Sequence, residues 1–159
     1  MKLKILSSNA NSAQISKAER INGRYLPGKQ PFVGANQIIP LLARVLLAAI
    51  FLWSGVNKIL HPVATQQYMA ANGMTFTGFF LVAAIALELG GGLSLVLGYR
   101  PRWGALVLIL FLVPATLIFH TNFSDQIQAI MFMKNLAMLG GLLMVVQYGA
   151  GSLAIDPDV

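Results

Sequence analysis

Four apolar runs, each long enough to cross a bilayer, constrain this chain more than any other feature. Ile38 to Leu60, Phe76 to Leu97, Trp103 to Phe119 and Ile127 to Tyr148 are separated only by short polar stretches. A hydrocarbon layer of about 30 Å takes about 20 helical residues at about 1.5 Å each. The breaks carry helix-ending punctuation: His61-Pro62, Gly98-Tyr99-Arg100-Pro101-Arg102 and Thr121-Asn122-Phe123-Ser124-Asp125. A soluble four-helix bundle shows apolar stripes backed by charged faces. Here Leu41 to Trp53 carries one charge, Arg44, and Leu106 to Phe119 carries none. Helices that are apolar all round need lipid outside them. The pattern predicts an all-α membrane protein, a four-transmembrane-helix bundle.

Composition agrees. The chain is 57% hydrophobic and 10% charged, against about 45–50% and about 25% in an average soluble domain. Too little polar surface is left to cover a water-soluble globule, which excludes an ordinary soluble enzyme and a disordered or collagen-like chain. The absence of cysteine excludes structural disulfides, Cys-ligated zinc, iron–sulfur clusters and thiol redox chemistry within this chain. No set of residues has metal-ligand spacing, and there is no phosphate loop, nucleophile elbow or carboxylate pair. The net charge of +6 is a matter of location. Six of the eleven basic residues fall in the first 36 positions, opposed only by Glu19. This reads as a basic, mobile cytoplasmic tail over 1–36 that orients the protein or docks on anionic lipid or an acidic partner, not as a nucleic-acid site. It does not read as a secretory signal, because Lys4 interrupts the short Leu3 to Leu6 stretch. The membrane domain then occupies 37–149, with spans at about 38–60, 76–97, 103–120 and 127–148, and 150–159 forms a cytoplasmic C-terminal tail.

Orientation follows from Lys and Arg near the spans. The tail and the Arg100/Arg102 loop fall on one side, so the bundle is expected to be N-in/C-in. Pro62 to Met74 lies on the outer side. Pro62 suits the first turn of a helix, and Val63, Tyr68 and Met69 interleave with Thr65, Gln66, Gln67 and Asn72. A short interfacial helix between the first and second spans is expected, with a plain loop as the alternative. Trp53, Tyr68, Trp103, Phe119 and Tyr148 stand near the boundaries, as an aromatic belt would.

Charge at membrane depth marks the candidate site, because such a group needs a partner or a wet cavity. Arg44, Glu88 and Lys134 lie well inside, whereas Lys58 and His120 lie near the outer boundary. At about 1.5 Å per residue, Arg44 is roughly 9 Å and Glu88 roughly 15 Å from the cytoplasmic ends, and Lys134 roughly 10 Å below the outer surface. Glu88 is therefore expected to pair with Arg44 from below, with Lys134 from above, or with both. Arg44 could instead snorkel to the headgroups. Glu88 is too deep for that, which leaves it protonated, ion-paired, or part of a ligand or proton site. Helical phase places Arg44, Leu47, Phe51, Ser54, Gly55 and Lys58 on one face. Ala84, Glu88, Gly91, Gly92 and Leu95 share a second face, and Lys134, Met138 and Gly141 a third. Small residues beside Glu88 permit close helix approach. The candidate polar cluster is Glu88, Lys134, Asn135, His120, Arg44 and Lys58.

These residues, in this order, resemble the DoxX family of small bacterial inner-membrane proteins. The likeness runs from about Leu41 to Asp156. It takes in Arg44, Phe51-Leu52-Trp53-Ser54-Gly55-Val56-Asn57-Lys58, Pro62, Glu88-Leu89-Gly90-Gly91-Gly92-Leu93, Gly98 and Arg102. It continues through Ala115-Thr116, Phe119-His120, Lys134-Asn135-Leu136-Ala137, Gly140-Gly141-Leu142-Leu143, Gly151-Ser152-Leu153 and Asp156. The basic tail is longer than the family usually carries. The resemblance implies a multi-pass protein of the bacterial plasma membrane. Some relatives are similar to a subunit of thiosulfate:quinone oxidoreductase, and some associate with redox-defence enzymes. It thus implies a link to quinone, with Lys134, Asn135 and His120 donating to the carbonyls of a headgroup and Glu88 relaying protons. The chain carries no intrinsic cofactor motif, so a partner redox protein would have to deliver electrons. The expected function is an accessory subunit of a membrane redox complex rather than a stand-alone enzyme, with a homo-oligomer compatible. A non-catalytic structural or assembly subunit stands as the alternative, and a small-solute transporter as a third reading.

Overall fold

The computed structural model describes residues 33–151 and 153–156, so the expected basic tail lies almost entirely outside the described residues. The described residues contain five helices: α1 (Val33–Leu60), α2 (Pro62–Ala71), α3 (Thr77–Leu97), α4 (Pro101–Phe119) and α5 (Gln126–Tyr148). Four of them are long and apolar enough to cross a membrane, with Gln37–Leu60 the spanning part of α1. The breaks behave as their chemistry requires. Pro62 and Pro101 open α2 and α4, where a missing N–H costs nothing. That is why α4 begins two residues before Trp103. Gly98 closes α3 at φ +66°, a left-handed conformation open to glycine at little cost. The Asp125 side chain accepts from the Ile127 N–H at 2.8 Å and caps α5. The segment after Pro62 is a ten-residue helix rather than a plain loop.

Glycines set the packing of the spanning helices. A Cβ on Gly91 of α3 would lie 2.6 Å from Leu108 Cγ and 3.0 Å from the Gly104 carbonyl of α4. One on Gly92 would lie 2.7 Å from Leu52 of α1, and one on Gly55 of α1 2.8 Å from Leu89 of α3. Gly141 of α5 faces Leu47 of α1, and Asn135 of α5 bonds Thr116 of α4. The four long helices therefore close a ring in the order α1, α3, α4, α5. Ala48, Phe51, Leu95, Ala105, Leu108, Leu112, Leu142 and Val145 fill its centre. Outward, Leu46, Trp53, Val82, Leu110 and Met133 are more than half exposed. Water would not tolerate that continuous apolar coat, whereas lipid suits it.

The glycine contacts yield a stability test. Gly91→Ala is expected to lower the thermal midpoint in detergent, at a cost of about 1–3 kcal/mol for overpacking. Gly90→Ala should leave the midpoint unchanged, because nothing stands within 4 Å of a Cβ there. Equal losses in both variants would contradict this packing.

The same contacts fix an offset between α1 and α3. With flush helix ends, Glu88 would stand level with Ala48. Instead Gly55 stands level with Glu88 and Leu89, a slide of about two turns, on the order of 10 Å. At one end of the bundle α1 stops short, and α2 folds over the gap. At the other end α1 projects past α3, and the C-terminal segment returns to cover it. The N–H groups of Ile155 and Asp156 donate to the carbonyls of Leu97 and Gly98 at 3.2 and 3.0 Å, and Gly151 abuts Pro40.

Candidate functional site

The offset decides which charges meet. Glu88 is 1% exposed, and its partner is Lys58, whose Nζ donates to Glu88 Oε1 at 3.0 Å. The same Nζ donates to Ser54 Oγ at 2.7 Å, one turn earlier on α1, and lies 5.7 Å from the centre of the Phe111 ring. The second carboxylate oxygen, Oε2, is buried without a hydrogen-bond partner among the described residues.

Glu88 and Lys58 line a cavity of about 630 Å³. Asn135 and His120 line it too. The Asn135 amide donates to Thr116 Oγ1 at 2.9 Å, and Thr116 donates in turn to the Leu112 carbonyl at 2.7 Å. His120 Nδ1 stands 2.7 Å from Gln128 Oε1. Helix α2 forms the roof through Thr65, Tyr68 and Met69. Tyr68 stacks on Phe119 of α4 with ring centres 5.2 Å apart, and Thr77 of α3 reaches Gln66 at 3.4 Å. The chamber is thus apolar over most of its wall, with an ion pair and an amide set into it.

Two expected members of the cluster lie elsewhere. Arg44 does not pair with Glu88. It is 2% exposed and donates from Nη1 to the Leu95 carbonyl at 2.9 Å and from Nη2 to the Leu153 carbonyl. The cation finds the negative end of α3 and the returning C-terminal segment, because the slide of α1 carries it a further two turns away, to about three turns below Glu88. Lys134 does not enter the bundle at all. It is exposed, with Nζ 3.9 Å from Met131 Sδ on its own helix. The inward face of α5 runs through Asn135, Met138, Leu142 and Val145, about one residue round from the expected face. The faces read on α1 and α3 agree with the burial of Arg44, Phe51 and Gly55 and of Ala84, Glu88, Gly91, Gly92 and Leu95.

Five polar residues of the cavity lie outside the expected cluster: Ser54, Asn57, His61, Thr65 and Tyr68. Ser54 had a signal, since it shares the helical face of Lys58. His61 and Tyr68 had none, because only the folding of α2 over the shortened α1 brings them in. Among the described residues no three of His, Cys, Asp or Glu gather in a way that could hold a metal.

Comparison with known proteins agrees with this architecture. A family model described as DoxX matches residues 39–121. Inner membrane protein YqjF of Escherichia coli (strain K12) is 40% identical over 116 residues, covering 73% of this chain and 88% of that protein. Inner membrane protein YphA of the same organism is 27% identical over 130 residues, covering 79% and 93%. No solved structure matches.

Proposed function

Because the chain belongs to the DoxX family and is a multi-pass inner-membrane protein, we propose that its cavity binds a quinone headgroup and that it serves as an accessory subunit of a membrane redox complex. One observation carries this reading. A buried carboxylate is paired on one oxygen and, among the described residues, has no hydrogen-bond partner on the other, and its residue lines a chamber large enough for a ligand. Ligand sites are commonly chambers of about 300–1,000 Å³, mostly apolar, with a few convergent polar groups. An unpartnered buried acceptor is costly, and a hydroxyl donor from a ligand would relieve that cost.

Residues of this chain divide the work by their chemistry. Lys58 Nζ, a donor with three protons, offers a hydrogen bond to a carbonyl oxygen. Glu88 Oε2 accepts from a hydroxyl of the reduced, quinol form. Phe51, Phe111 and Leu112 give the ring an apolar surround and exclude water. A bound quinone would supply two-electron, two-proton chemistry, with the electrons delivered by a partner protein.

Binding of a tail-free quinol, the reduced form that carries the hydroxyl, to the protein in lipid nanodiscs tests the reading. Glu88→Gln and Lys58→Met are each expected to weaken binding by about tenfold or more, equivalent to ~1.4 kcal/mol. Lys134→Ala should bind as the wild type does, since Lys134 stands outside the cavity. No binding by the wild type, or equal binding by all four proteins, would overturn it. A fall in thermal midpoint for Glu88→Gln with no change in binding would favour a purely structural subunit.

A further inference from the structure

The walls of the cavity show where it opens. On α1 they are Ile50, Ser54 and Asn57, and on α5 they are Met131, Asn135 and Met138. The two helices touch lower down, where Gly141 faces Leu47. Above that contact, Ile50 is 40% and Met131 36% exposed although both line the cavity. Ile50 lies ten residues below the end of α1, about 15 Å along the helix. The end of α1 is itself set back by the slide against α3. An exposed cavity wall at that depth faces hydrocarbon, not water. On the α3 and α4 side, α2 is fastened by the Tyr68–Phe119 stack and the Thr77–Gln66 contact.

From this placement we infer that the cavity opens sideways into the bilayer between α1 and α5, and that it takes an amphiphile whose hydrocarbon tail passes between Ile50 and Met131 while its polar head meets Lys58 and Glu88. The second half rests on the ligand reading above; the first half stands on the cavity walls alone. The chemistry is consistent at both ends. The head meets an ion pair with one free acceptor, and the tail lies against isoleucine and methionine, as it would against lipid. A tail that stays in the bilayer needs no large apolar pocket inside the protein. It also tethers the ligand, so that the second contact forms at a raised effective concentration.

Two measurements test this, and they separate the two halves. The chain has no cysteine, so Ser54→Cys can carry a single bimane label at the cavity wall. In nanodiscs, phospholipids brominated on their acyl chains are expected to quench this label strongly, and aqueous iodide weakly. Quenching by iodide as strong as by brominated lipid, or no quenching by either, overturns the sideways opening. The second measurement compares a tail-free quinol with the same headgroup on a long polyisoprenoid tail. In the double variant Ile50→Trp, Met131→Trp, the long-tailed ligand should bind about tenfold more weakly, ~1.4 kcal/mol, and the tail-free one within about twofold of wild type. Equal effects on both ligands overturn the tail placement. Failure of the wild type to bind either ligand removes the quinone reading and the proposed ligand with it, while the quenching result still decides the opening.

Discussion

Lys58→Met is expected to destabilise the bundle by on the order of 3–5 kcal/mol, the usual cost of leaving one member of a buried ion pair without its partner. Glu88 cannot turn to water for compensation, because it is 1% exposed and packs against Gly55 of α1. Adding Glu88→Leu to the same chain should recover most of the loss, since the orphaned charge is then gone and a side chain of similar volume fills its place. Glu88→Leu alone should cost less than Lys58→Met. Lys58 has a second partner in Ser54, and its side chain is 16% exposed, so it can redirect its head towards the cavity. Thermal unfolding in detergent of the two single variants and the double variant forms a double-mutant cycle. Additive losses would mean that the 3.0 Å contact couples nothing.

The second large effect is at the opposite end. Arg44→Leu is expected to release the C-terminal segment and to lower the thermal midpoint substantially. Hydrogen bonds to a charged donor contribute about 1.5–3 kcal/mol each, and Arg44 holds two carbonyls of different segments, Leu95 and Leu153. Both carbonyls and the apolar packing of Arg44 are lost together. Arg44→Lys should rescue only in part, because an ammonium lacks the planar fork that reaches both oxygens at once. Limited proteolysis reads the release directly. The stretch from Gly149 onward should become cleavable in Arg44→Leu while the helical core resists. A C-terminus protected equally in wild type and variant would show that the backbone bonds of Ile155 and Asp156 suffice without the arginine. Gly98 belongs to the same latch. Its φ of +66° and its closeness to Arg44 and Ala154 leave no room for a side chain.

The features that a single helix decides are legible in the sequence. The spans ended within a few residues of their observed ends, because proline, glycine and Asp125 act through local backbone chemistry. The inward faces of α1 and α3 were also legible, since a polar or glycine stripe repeats at helical spacing. On α5 the same reasoning pointed to Lys134, and the structure chose Asn135. Helical phase there was ambiguous by one residue, about 100°, because apolar residues surround both positions and neither face of α5 stands out. Depth counted from the end of its own helix puts Lys58 at the rim, whereas the slide of α1 brings it level with Glu88.

What the chain determined unaided is therefore its medium and its parts: a lipid-embedded set of four long helices, with Glu88 forced to find company. Which company it finds was settled only by tertiary packing. The glycines at 55, 91 and 92 let the helices approach closely, and the closest fit slides α1 about two turns along α3. That slide takes Arg44 away from Glu88 and brings Lys58 to it. It also leaves the gap that α2 roofs to make the cavity. Register between helices is a property of side-chain interlocking across two segments far apart in the chain, and no periodicity within either segment encodes it.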